Sequence, residues 1–455
     1  MSPLNSLTSG VPGHHRLLLP SREARRPDSA LVARPLDRRK QKGGIMDTLY
    51  PRCCGLDVHK RDLVACLITP GSDGHPTKII RKFGTMTADI LALADWLIAA
   101  CCTHVAMEST GVYWKPIYNL LDESCTLLLV NARHIKAVPG RKTDVKDCEW
   151  IADLLQHGLL QASFVPERGQ RELRELTRYR TSLVRERTAE ANRLQKTLEG
   201  ANIKLASVAT DILGKSGREI LAGLVAGETD TAALAQLAKG RLREKLPALE
   251  RALVGQFGAH QRFMVAEQLA HVDYLDAAIE RVSGEVAQRV CASEDLLDRL
   301  DAIPGIGRYV AEALIAEIGT DMSRFPTDRH LASWAGMCPG NRESAGKRQS
   351  GKTRKGSPWL RALLVQAAHA AGRTKGTYLA AQYRRLTVRR GRNRAAIAVG
   401  HSLLVIIYHM IQYGTDYVDL GPQHLDERDR QAVERRLVRR LEGLGYTVSL
   451  EPRAA

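Results

Sequence analysis

Four carboxylates stand at, or just beyond, short apolar runs: Asp57 in Cys-Gly-Leu-Asp-Val-His-Lys, Glu108 in Val-Ala-Met-Glu-Ser-Thr-Gly, and Asp144 and Asp147 in Arg-Lys-Thr-Asp-Val-Lys-Asp. The first two runs read as buried strands, so their acids fall at strand ends. Asp144 and Asp147 are three apart and share one face if their segment is helical. Acids brought together this way repel one another unless a hard cation holds them. Mg²⁺ or Mn²⁺ takes oxygen ligands and serves phosphoryl chemistry, in the two-ion case with the ions about 4 Å apart. Each motif alone is weak, since Asp-x-x-Asp is common on solvated helices. The alternative is a set of unrelated surface acids.

The order of elements around these acids narrows the fold. Arg52–Val58 and Leu63–Thr69 read as a strand pair and Lys78–Gly84 as a third strand. A helix at Thr87–Ala100, a strand at His104–Glu108 and a helix at Tyr113–Leu121 follow. Thr126–Asn131 is a further strand, with helices predicted at Ala132–Val138 and Asp144–His157. The order β-β-β-α-β-α-β-α is that of an RNase H-like domain, in which the first and fourth strands are neighbours. That adjacency would bring Asp57 to Glu108.

The rest of the chain reads as helical. Residues 1–45 are rich in Pro, Ser, Gly and Arg without hydrophobic period and read as a disordered extension before Met46. The α/β domain is placed at 46–165 and a helical linker at 166–292. In that linker Leu173, Leu176 and Leu183, and then Val265, Leu269, Val272, Leu275, Ile279, Val282 and Val286, recur at helical spacing among charged residues. Such a pattern suits an antiparallel stalk, a coiled coil that joins protomers, or a plain bundle. A second domain is placed at 293–420 and a polar, basic tail at 421–455, with a helix expected at Glu434–Leu444. Ala395 to Tyr413 is apolar enough to raise the question of a membrane span. It carries His401, Ser402, His409 and Gln412, which are costly in lipid, and a buried helix is the expectation.

Charge says what kind of partner to expect. The formal net charge is +17, from 67 Lys and Arg against 50 Asp and Glu, which favours a polyanion over an acidic small molecule. Aromatic residues make up only 5%, which disfavours a binder that works mainly by base stacking. The nine cysteines are odd in number, include adjacent pairs and form no Cys-x-x-Cys, as expected of a reduced, cytoplasmic chain with neither a disulfide frame nor a zinc site. No signal-peptide core is evident at the N-terminus, where Leu17-Leu18-Leu19 is too short.

Three constellations are candidates for phosphate contact. Pro304-Gly305-Ile306-Gly307 resembles the turn of a helix-hairpin-helix unit, in which Gly305 and Gly307 would let the backbone approach a phosphate; a tight helix–helix turn is the alternative. The segment from Cys338 to Gly356 carries Arg342, Lys347, Arg348, Lys352, Arg354 and Lys355 among glycines, with Ser344 and Ser350 inside the positive loop. Either serine could attack phosphorus if cations and a bound phosphate activated it; a loop that only grips phosphate is the simpler reading. Arg389, Arg390 and Arg392 belong to a third patch, read as backbone contact or as a solvated helix face.

Taken together, these segments resemble the DEDD transposases of the insertion-sequence-110 group. The resemblance rests on Gly-Leu-Asp-Val-His-Lys, Met-Glu-Ser-Thr-Gly-Val-Tyr-Trp, Lys-Thr-Asp-Val-Lys-Asp, Ile-Pro-Gly-Ile-Gly, Trp-Ala-Gly-Met-Cys-Pro-Gly-Asn-Arg-Glu-Ser-Ala-Gly and Arg-Lys-Gly-Ser-Pro-Trp-Leu-Arg, and runs from about residue 52 to 418. It implies a RuvC-like domain whose four acids are Asp57, Glu108, Asp144 and Asp147, joined by a coiled coil to a mainly helical transposase domain with an essential serine. By the spacing in Pro-Gly-Asn-Arg-Glu-Ser-Ala-Gly that serine falls on Ser344, with Ser350 the alternate. It also implies attack on a DNA phosphate with a covalent 5′-phosphoserine link, Mg²⁺ or Mn²⁺ as cofactor, and element-end and target DNA as substrates. A dimer to tetramer is implied, with the two domains of one active site drawn from different protomers. Some members use a structured bridge RNA that pairs with donor and target. A nucleoid-associated bacterial protein follows, with no membrane role. Cys148 departs from the pattern, standing where a small residue such as Ala is usual. Two other functions fit the residues: a junction nuclease that uses water, and a nucleic-acid-binding protein without catalysis.

Overall fold

The computed structural model describes residues 48–71, 75–109, 111–131, 147–340, 342–344, 347–428 and 430–450. The extension at 1–45, the helix expected at Ala132–Val138, and Asp144 lie outside the described residues. The chain divides into two compact units, 1–164 and 165–455.

The first unit is a five-stranded mixed sheet flanked by helices. Its strands are β1 (Cys53–Val58), β2 (Asp62–Pro70), β3 (Pro76–Gly84), β4 (His104–Glu108) and β5 (Thr126–Val130), in the spatial order β3-β2-β1-β4-β5. β1, β2 and β3 form an antiparallel meander, whereas β4 runs parallel to β1 and β5 parallel to β4. This arrangement is compatible with an RNase H-like domain. The helices are α1 (Thr87–Ala99), α2 (Trp114–Leu121) and α3 (Asp147–Gln156). The central strand β1 is covered on both faces, which is why Cys-Cys-Gly-Leu reads as a continuous apolar run rather than an alternation. β3 lies at the sheet edge, and its exposed Lys78, Arg81 and Lys82 discourage pairing with another chain.

α3 packs directly on β1, and Gly55 permits it. A Cβ at Gly55 would stand 2.3 Å from the carbonyl oxygen of Cys148 and 2.5 Å from the backbone nitrogen of Ala152. The helix runs against the strand: Cys148 lies over Gly55, Cys53 Sγ meets Ala152 O at 3.7 Å, and Gln156 O accepts from the backbone N–H groups of Leu49 and Tyr50. The start of α3 therefore lies toward the C-terminal end of β1.

The second unit is built on two long helices. These are α4 (Arg168–Gly200) and α9 (Ala259–Val290). Glu172 pairs with Arg289, Arg180 with Ser283, Arg187 with Asp276 and Glu190 with His271. The partner's number falls as the first rises, so the helices are antiparallel. Leu173, Leu183, Leu194 and Leu198 of α4 and Val265, Val272, Leu275 and Val286 of α9 are buried. This is the antiparallel stalk among the three arrangements the spacing allows. Four short helices, α5 (Leu205–Val208), α6 (Lys215–Ala226), α7 (Thr231–Gln236) and α8 (Leu246–Ala252), share an apolar cluster with the stalk tip.

At the stalk's other end the main core gathers α10 (Glu294–Asp301), α11 (Arg308–Ile318), α12 (Asp328–Trp334), α13 (Pro358–Ala371), α14 (Tyr378–Arg390) and α15 (Arg392–Tyr413). α16 (His424–Arg428) and α17 (Arg430–Glu442) follow. α15 is long and apolar enough to cross a membrane by composition. Here Val399, Leu403, Leu404 and Ile407 of α15 are fully buried among the other helices. Two buried carboxylates join the stalk to this core. Arg180, 2% exposed, donates to Glu312 at 2.7 Å and lies over the Tyr309 ring. Arg178 grips Glu317 with two bonds of 2.7 and 2.9 Å.

Two outcomes follow. Gly55→Ala should destabilise the first unit by about 1–3 kcal/mol, because α3 must shift to admit one methyl group; urea unfolding followed by tryptophan emission measures it. Burial pushes the thiols of Cys53, Cys66 and Cys102 up to about 12, whereas Cys101 and Cys291 are exposed. In the folded protein at pH 8, iodoacetamide should label Cys101 and Cys291 first and spare the buried three until denaturant is added, as read by peptide mass mapping.

Candidate functional site

Strand register brings the first two acids together. β1 and β4 are parallel, with Leu56 opposite Met107. Asp57 and Glu108 are the next residue on each strand, and neighbouring strands lie about 4.8 Å apart. Glu108 is the last residue of β4 and Asp57 the last but one of β1, so both sit where the sheet runs out. Side chains alternate along a strand, so Asp57 shares the face of Gly55, the face on which α3 lies.

The third acid comes from α3. Asp147 opens this helix, and the antiparallel run over β1 carries it to the end where Asp57 and Glu108 stand. A helix N-terminus favours negative charge nearby, which offsets part of the repulsion. Cys148, the next residue, is buried beneath the helix; burial pushes its thiol pKa up, and the Asp57 charge adds to that. Its side chain occupies core space, so the departure from a small residue is accommodated by packing.

The donor set is all carboxylate oxygen, which suits a hard divalent cation and not a soft one. Among the described residues, no group of three or more His, Cys, Asp or Glu side chains is drawn close enough to hold an ion. The backbone thus converges three acids on one end of the sheet, while Asp144 lies outside the described residues. His59 is a residue the sequence patterns did not single out. Its Nε2 lies 3.2 Å from Asp57 Oδ2, and the ring is well exposed. The only signal for it is its position two residues after Asp57.

In the second unit the segment read as a Gly-rich loop contains a strand pair, β6 (Arg342–Ser344) and β7 (Lys347–Ser350). Ser344 is opposite Lys347, and Arg342 opposite Ser350, with an irregularity between Arg342 and Glu343. Ser344 therefore stands at the turn end of the pair and Ser350 at its base. The neck below is closed. Pro339 bridges Thr353, Gly340 N donates to Lys352 O at 2.9 Å, and a Cβ at Gly356 would fall 2.3 Å from the Ala335 backbone. Ser357 then caps α13, accepting from Leu360 N and donating to Glu317 at 3.3 Å.

The predicted phosphate contacts fall in different settings. Gly305 has φ +91°, and a Cβ there would meet Ala367 O at 2.3 Å, so close packing on α13 already accounts for this glycine. Gly307 is exposed at the N-terminus of α11. Arg342, Lys347 and Arg348 are on the strand pair. Lys352, Arg354 and Lys355 are exposed, and Arg354 donates to Ser333 at 3.4 Å. Arg389, Arg390 and Arg392 are exposed where α14 passes into α15 through Gly391. Lys352, Arg389 and Arg390 come together around one cleft of about 1240 Å³, so two patches that are far apart in the chain share one surface.

The chain resembles known proteins over the same segments. A transposase family model of the DEDD type associated with IS110 matches residues 54–203, and the transposase IS116/IS110/IS902 family model matches 297–384. A Pseudomonas aeruginosa protein described as a family 20 transposase is 27% identical over 320 residues, 69% of this chain and 85% of that protein. A Streptomyces coelicolor protein described as a mini-circle transposase for IS117 is 36% identical over 124 residues, 27% of this chain and 28% of that protein. The first match begins just ahead of Asp57 and takes in Glu108 and Asp147, and the second holds the Ser344 strand pair. With two models of one family covering both ends of the fold, the chain belongs to the IS110/IS116/IS902 family of transposases.

Proposed function

We propose that this transposase excises and inserts its element by serine-dependent cleavage and rejoining of DNA strands. Asp57, Glu108, Asp144 and Asp147 would hold Mg²⁺ or Mn²⁺ in an RNase H-like, RuvC-like domain. The observation that carries the reading is the register of β1 with β4, which sets Asp57 beside Glu108 under the start of α3. When bound, the ion supplies charge neutralisation for the phosphate under attack.

The chain's own groups do the rest. Ser344 Oγ attacks the phosphate; the Ser–O–P bond forms as the P–O3′ bond breaks. The product is a 5′-phosphoserine link and a free 3′-hydroxyl, which reverses the step on rejoining. The serine proton passes to solvent or to a nearby base. Lys347, whose backbone is paired opposite Ser344, would offset charge there. Arg342, Arg348, Lys352, Arg354, Lys355, Arg389, Arg390 and Arg392 position DNA by its phosphates, and Gly307 offers a backbone N–H at the start of α11. The domains are taken as 46–165 for the acids, 166–292 for the stalk and 293–420 for the serine, with the stalk pairing protomers into a dimer or tetramer. A bridge RNA would choose the target; the net charge of +17 suits both nucleic acids.

Two experiments test this. Ser344→Ala should abolish strand cleavage and the covalent protein–DNA adduct on denaturing gels while leaving DNA affinity within about twofold. Cleavage without an adduct would instead assign the reaction to water, as in a junction nuclease, and an adduct that moved to Ser350 would reassign the nucleophile. Asp57→Asn should remove the heat of Mg²⁺ binding in calorimetry and lower cleavage by at least about 10²-fold. Wild type that takes up no Mg²⁺ and cuts no DNA would leave only a nucleic-acid-binding protein.

A further inference from the structure

The cleft between the neck of the Ser344 strand pair and helices α14 and α15 contains more than its predicted cations. Arg361 of α13 and Arg394 of α15 also line it, with Lys352, Arg389 and Arg390, and none of its described lining residues is Asp or Glu. Five cations gathered on one surface make it a favourable seat for a polyanion. The floor differs from the rim. Leu386 and Ile397 are half-buried and apolar where Lys352, Arg389, Arg390 and Arg394 are exposed, and Gln382 donates to Ser402 Oγ at 3.0 Å while its Oε1 accepts no hydrogen bond. At about 1240 Å³ the space exceeds the usual 300–1,000 Å³ of a small-molecule site.

The geometry points to a single DNA strand as the occupant. This rests on the reading of the chain as a DNA-cutting enzyme and adds where one strand goes. A duplex offers such a cleft only phosphates and would leave the apolar floor against a charged backbone. A single strand turns phosphates to the rim and base edges to the floor, matching both. A base amine could satisfy the Gln382 acceptor. No Phe, Tyr or Trp is among its described lining residues, so the grip they offer is mainly electrostatic rather than stacking. The floor and rim continue into Gly351, Lys352 and Thr353, just after β7. A strand held there runs on to the strand pair that carries Ser344.

Fluorescence anisotropy of the full chain in EDTA tests this without any cleavage. The probes are a labelled single-stranded DNA, the same sequence as duplex, and an RNA of that sequence. The single strand should bind more tightly than the duplex. R361A/R394A should weaken it about tenfold and flatten the slope of log K against log salt by about 1.4, from roughly 0.7 per lost phosphate contact. Gln382→Leu should weaken a base-bearing strand more than an abasic one. Equal affinity for duplex, or an unchanged slope in R361A/R394A, overturns the assignment. Preference for RNA with the same loss of slope overturns DNA as the occupant. Because binding is read without divalent ions, a failure here is separate from a failure of cleavage by Ser344.

Discussion

The absence of a side chain at Gly55 governs the first unit. With the Cys148 carbonyl oxygen within 2.3 Å of where a Cβ would be, α3 lies this close to β1 only because Gly55 has no side chain. That contact sets the height of the helix above the sheet and the point at which its first turn arrives. The parallel pairing of β1 with β4 fixes the other coordinate, because shifting either strand by one residue would turn Asp57 or Glu108 to the opposite face. Two local constraints thus bring together acids separated by up to 90 positions.

The second unit solves a different problem: how to hold a short polar strand pair in a defined place. Glycines close its neck by allowing backbone to meet backbone at Gly336 and Gly356. Below it, Ser357 serves as both helix cap and partner of Glu317. Glu317 is 1% exposed and has its charge compensated by Arg178. A buried carboxylate is costly without such a partner and rigid with one.

Much of this was legible in the sequence, for reasons that differ by element. β1, β2, β4 and β5 announce themselves because buried strands must be apolar, and His104–Glu108 is found at both predicted ends. β3 starts earlier than read, at Pro76, because an exposed edge carries no apolar signal. β6 and β7 were hidden for the same reason: Arg-Glu-Ser and Lys-Arg-Gln-Ser have neither alternation nor β-branched residues, and pairing alone makes them strands. The stalk's apolar stripe was visible, but Arg180 and Glu190 looked like solvated charges. Burial of Arg180 depends on Glu312, 132 residues away, which no local pattern shows. Asp57, Glu108 and Asp147 could be singled out from their motifs, and strand order alone foretold that Asp57 and Glu108 would be neighbours; that His59 stands against Asp57 required coordinates.

Arg178 lies near one end of α4, and 22 residues separate it from Gly200 at the tip. At 1.5 Å per residue this is a rigid arm of roughly 33 Å. Its short end is bolted through Glu317 to the residue that begins α13, at the foot of the serine-bearing strands. Whatever seizes the far tip gains leverage over the tilt of those strands.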